Sequence, residues 1–125
     1  MGMFGTLNAT SVIVQSGSSL GGNGTIASSV TNDGSMTLQG SMTVTGSYSQ
    51  AAGAALTEYF ASTLTVISNA TLSGALNVTF SPKHPPASGA KYTAVTAGSL
   101  SGSFTKHTAG FTLTTNGNSI TVTKQ

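Results

Sequence analysis

The chain has 125 residues and is only 5% charged, with four Lys, no Arg, and Asp33 and Glu58 as its acids, against about a quarter charged in an ordinary soluble domain. That length fits one domain. A net charge of +2 scattered over Lys83, Lys91, Lys106 and Lys124 makes no nucleic-acid footprint, no run nears the ~18 apolar residues of a membrane helix, and the lack of Cys rules out a disulfide framework.

Low charge favours disorder, but 38% of the residues are hydrophobic, grouped in short β-branched clusters among 19 Ser, 21 Thr and 16 Gly. Such a composition suits short strands joined by tight turns. At the start, Met1-Gly2-Met3-Phe4 lacks a basic region followed by an apolar stretch and so reads as no secretory leader; either a leader has been removed or, the favoured reading, this is an excised fragment with an added Met.

In chain order, residues 1–19 form an N-terminal edge with a first strand at Ser11–Val14. Residues 20–104 carry the repeated part. After the turn Gly21-Gly22-Asn23-Gly24 and the turn Asn32-Asp33-Gly34, strands are expected at Ser35–Leu38 and Ser41–Thr45, separated by Gly40 and closed by Gly46. The segment Gln50–Phe60 is rich in Ala and is the one place with helical composition, although Gly53 interrupts it. Strands follow at Thr63–Ile67, Ala75–Phe80 and Lys91–Thr96. In Met42-Thr43-Val44-Thr45 and Leu64-Thr65-Val66 the apolar and hydroxyl side chains alternate, as on a half-buried strand. Residues 105–125 end in Gly110–Thr115 and Ser119–Thr123 around Asn116-Gly117-Asn118, a hairpin signal that reads as an edge or cap.

Turns this frequent favour a solenoid of coils over a sandwich of hairpins. The pieces GSMTLQGSMTVTGSYSQ and TLTVISNATLSGALNVTF look like degenerate repeats, and a coil of about 20 residues would set Val44 over or near Leu64. The fold class expected is therefore all-β.

From Leu20 to Phe104 four motifs occur in order. They are a Gly-rich LGGNGTI opening, a Gly-bounded LQGSMTVTGSYSQ strand, the LTVISNATLSGALNV pair and the closing TAVTAGSLSGSF. This ordered set resembles the passenger-associated repeat region of bacterial autotransporter adhesins and related secreted surface proteins. The resemblance implies a right-handed parallel β-helix, exported and displayed outside the cell or on the bacterial surface.

The residues offer little chemistry. Glycoside hydrolysis needs two facing carboxyl groups, whereas Asp33 sits in a turn and Glu58 reads as a solvated side chain or half of a surface pair. His84 and His107 each lie beside a Lys with no Cys or acid near in sequence, a poor basis for a metal site. No Gly-x-Ser-x-Gly elbow and no phosphate loop occurs. The glycosylation patterns at Asn8, Asn23, Asn69 and Asn77 are what chance gives in a chain so rich in Asn and Thr. No enzyme activity, metal or cofactor is expected.

Two surfaces stand out instead. Thr43, Thr45, Thr63 and Thr65 mark a hydroxyl-rich face, which suggests a ligand such as ice or polysaccharide, with Tyr48, Tyr59 and Tyr92 the only tyrosines available to stack on sugar. Thr112, Thr114, Thr121 and Thr123 mark the terminal hairpin as a self-association edge, since uncharged strand edges lack the residues that usually block pairing. The expected function is a non-catalytic structural module of an extracellular protein, an adhesin stalk or fibre segment that self-associates end to end or edge to edge.

Overall fold

The computed structural model describes residues 2–3, 6–59, 62–80, 83 and 86–125. In chain order the strands are β1 (Gly2–Met3), β2 (Thr6–Val14), β3 (Ser19–Asn32), β4 (Ser35–Val44), β5 (Tyr48–Gln50) and β6 (Ala55–Tyr59). They continue with β7 (Leu64–Leu72), β8 (Ala75–Thr79), β9 (Lys91–Gly102), β10 (Lys106–His107), β11 (Phe111–Asn116) and β12 (Ser119–Lys124). Among the described residues no helix occurs, and the strands wind into a parallel β-helix of about three turns, as the turn spacing led us to expect.

Each interior coil hydrogen-bonds to the coil before and after it, so inward side chains stack in columns. One column runs Leu20, Met36, Leu56, Leu76 and a second runs Ile26, Val44, Val66. Most of these side chains are fully buried, each worth roughly 1.5–3 kcal/mol when taken out of water. The coil length is not constant. Met42 lies over Leu64 and Val44 over Val66, two residues from the register expected for an even 20-residue coil. Corners absorb the difference, because a turn can lengthen without disturbing the ladders on either side of it. The largest extension lies between β8 and β9, where Leu64 next pairs with Val95.

In Gln50–Phe60 the helical composition is not realised, and one expectation, a solvated Glu58, needs correction. Apart from Phe60, which lies outside the described residues, the segment forms the end of β5, a turn and β6. Pairing of β6 to β4 on one side and β8 on the other overrides the helical tendency of its alanines. Within β6, Leu56 and Glu58 share the inward phase, so Glu58 is completely buried and is no surface residue.

The C-terminal hairpin forms as read from the sequence. β11 pairs antiparallel with β12 in continuous register from Phe111–Lys124 to Asn116–Ser119, and β12 pairs antiparallel with β9. The two-residue turn places Gly117 first with φ 58°, the position where a II′ turn requires glycine. Ile120, Val122 and Phe111 point into the core, and Phe111 meets Phe80 at 6.2 Å and Lys124 Nζ at 5.6 Å. Residues 105–125 also hold a short parallel rung, β10 against β8, so the last coil starts before the hairpin closes it.

Tight stacking at the corners generates a stability test. Gly74 has φ +69°, and a Cβ there would stand well under 3.0 Å from the Ala54 carbonyl of the coil beneath, whereas a Cβ on Gly53 would meet nothing within 4 Å. Gly74→Ala should lower stability by about 2–4 kcal/mol. Gly53→Ala should be neutral or stabilising by up to ~1 kcal/mol. Urea denaturation followed by circular dichroism distinguishes the two.

Candidate functional site

On the face formed by the second half of β4 and by β7, outward hydroxyls stack as the inward apolar residues do. Thr25 pairs with Thr43, Thr43 with Thr65, Thr65 with Thr96, and Thr96 with Ser119 of the hairpin. This rank of five is spaced by the ladder, about 4.8 Å per rung, and each member is half-buried. Of the four threonines expected on this face, the rank takes Thr43 and Thr65. Thr45 is exposed beyond one end of β4, and Thr63 lies just before β7, where its hydroxyl donates to the Thr93 carbonyl at 2.7 Å. Thr25, Thr96 and Ser119 were hidden because the intervals of 18, 22 and 31 residues follow no sequence period. A parallel rank on the next face runs Thr31, Ser49, Thr71, Ser101.

The expected hairpin edge is divided by the sheet topology. Thr112 faces Thr123 and Thr114 faces Thr121 across the β11–β12 ladder. Thr121 and Thr123 belong to β12, which is paired on both sides, so they are interior to the sheet. Thr112 and Thr114 lie on β11, the terminal strand. The opposite end of the solenoid carries a second edge, where β2 pairs with β3 alone. There Val12, Ile13, Val14 and Leu20 surround an open depression of about 520 Å³, with Ile13 60% exposed.

Inside the solenoid lies a polar constellation that sequence analysis did not single out. The Asn32 amide donates to the Tyr48 hydroxyl at 3.0 Å and to the Ala55 carbonyl at 2.9 Å, while its oxygen accepts from the Gly34 N–H. Tyr48 in turn donates to Gln50 Oε1 at 2.6 Å, and the Gln50 amide donates to the carbonyls of Ser73 and Ala75. Asn32 and Gln50 occupy equivalent places in successive coils, and each ties its own corner to the next one. Burial holds the Tyr48 phenol above the ordinary tyrosine range, with the Asn32 hydrogen bond opposing and the Glu58 carboxyl adding to that effect. The signal was available: in Val30-Thr31-Asn32 and Tyr48-Ser49-Gln50 the polar amide falls in the inward phase.

Other sequence candidates do not converge. His107 is exposed on β10 and contacts the Thr108 carbonyl, His84 lies outside the described residues, and Asp33 is exposed in its turn. Among the described residues no three His, Cys, Asp or Glu side chains come together. Of the tyrosines, Tyr48 and Tyr92 are buried and only Tyr59, 43% exposed, is open to a ligand.

Removing the Tyr48 hydroxyl leaves two buried amides each short of a partner, so Tyr48→Phe should cost about 1–3 kcal/mol and Asn32→Ala at least as much. Chemical denaturation checks both, and the fold should survive Tyr48→Phe with unchanged circular dichroism. Compared with protein-family models and with curated proteins, the chain matches none.

Proposed function

We propose that this chain is a non-catalytic scaffold module of an extracellular or bacterial surface protein, an adhesin stalk or a fibre segment that associates with further copies. The observation that carries the reading is the pair of unpaired, uncharged strand edges. β2 ends the ladder at one end of the solenoid and β11 at the other, beside the two-residue β10 with its Lys106; neither β2 nor β11 contains a Lys, Arg, Asp or Glu. Exposed edges of this kind template pairing with another chain unless charge, proline or a covering element blocks them. Nearly uncharged faces of hydroxyls and small residues give the module rigidity without a reaction centre, and the four ordered motifs resembling autotransporter passengers support the same reading.

A second reading, a ligand-binding face, draws on the rank of Thr25, Thr43, Thr65, Thr96 and Ser119. A regular hydroxyl lattice favours ordered water, as at an ice surface, over polysaccharide. Burial of Tyr48 and Tyr92 removes two of the three aromatic platforms a sugar would stack on.

Light scattering and negative-stain microscopy at high concentration should show assemblies larger than one chain. Ile13→Lys on β2 and Thr114→Lys on β11 should each weaken them by about tenfold or more, the effect of ~1.4 kcal/mol. A strictly monomeric particle would remove the self-association part. The second reading requires thermal hysteresis, or glycan-array binding, that is lost in Thr65→Lys.

A further inference from the structure

Glu58 is 0% exposed, in a chain whose other side-chain acid, Asp33, is exposed. Its position is fixed from both sides. On β6 it pairs with Leu38 of β4 and Val78 of β8, both buried and apolar. Side-chain direction in a strand follows the pleat, so the carboxyl cannot turn to solvent without slipping the register and exposing Leu56. A surface glutamate would swing outward; this one is held.

The groups that face it come from four strands. β4 and β8 bring apolar side chains and hold no charged residue. From β9 the Tyr92 phenol acts on the carboxyl, and from β5 Tyr48 lies near enough to feel its charge. Lys91, next to Tyr92 in sequence, is exposed, as is Tyr59 on β6 itself. Among the described residues, Tyr92 is the one side chain that hydrogen-bonds toward the Glu58 carboxyl. Burial is the largest influence on the group and the Tyr92 hydrogen bond opposes it, and among the described residues no cation is brought to bear on the carboxyl.

We propose that Glu58 is a proton latch: the folded solenoid holds it as the neutral acid, and loss of that proton loosens the β6 rung between β4 and β8. Burial pushes its carboxyl well above the ordinary value of 4.5. The unfolded chain releases the proton near that ordinary value, and the folded chain only at higher pH. Between the two the native state carries one proton more. Stability is therefore complete below the unfolded value and is lost as pH rises through the window, the reverse of common acid denaturation. Tyr48 and Tyr92, raised chiefly by burial, stay neutral across it. The latch is independent of whether the module is a scaffold.

Two measurements on the full chain test it. In denaturant titrations between about pH 5 and pH 9, the unfolding constant of the wild type should grow, by up to about tenfold per pH unit within the window. That of Glu58→Gln should stay flat; equal slopes in the two proteins would overturn the latch. Infrared spectroscopy of the wild type at neutral pH should show an un-ionised carboxylic acid band, which Glu58→Gln lacks. Absence of the band in the folded wild type sinks the proposal even where the variant fails to fold.

Discussion

Strands β3 to β9 are each hydrogen-bonded along both edges, and the rest of the molecule depends on that double pairing. A strand held on both sides cannot slide by one residue without moving its whole apolar set to the solvent face. Side-chain direction is thereby imposed on every inward position, whatever residue stands there. Leucine, methionine and valine gain from this, and so the columns Leu20–Met36–Leu56–Leu76 and Ile26–Val44–Val66 form a continuous core. Asn32, Tyr48, Gln50 and Glu58 are subject to the same imposition, and each must find its partners inside.

The polar interior therefore has two characters. Asn32, Tyr48 and Gln50 satisfy one another and the corner carbonyls around them, so their burial specifies where each coil turns and which coil follows. A fully connected buried network favours one arrangement over its neighbours, because any slip leaves amides unpaired. Glu58 is different: among the described residues no countercharge acts on it, and neutralisation is the way a buried acid meets that condition. The proposed latch thus links one rung of a sparsely charged module to proton concentration.

The double pairing also defines what is left over. A ladder without closure must end, and here it ends at β1 and β2 on one side and at β10 and β11 on the other, of which β2 and β11 carry no charged residue. The hairpin postpones the ending: it adds antiparallel strands over β9 and turns Ile120 and Val122 inward, but β11 remains an edge. Stiffness along the axis and unfinished ends across it are the physical basis of the scaffold reading, and both follow from the geometry of stacked coils.

Much of this was legible in the residues. Alternation in Met42–Thr45 and Leu64–Val66, the frequent Gly and Asn corners and the Asn116–Asn118 turn determined an all-β solenoid with a terminal hairpin, because periods of two and turn chemistry are local properties. Register was not local. Thr25, Thr43, Thr65 and Thr96 fall into one rank only after corners of unequal length have been closed, and no sequence period shows where a corner absorbs extra residues. Nor could sequence separate an edge from an interior strand, so Thr112 and Thr114 looked equivalent to Thr121 and Thr123 until β9 was seen to pair with β12. Glu58 makes the same point. The identity of the residue suggested a solvated surface group, and only the strands on either side of it decided that it points inward.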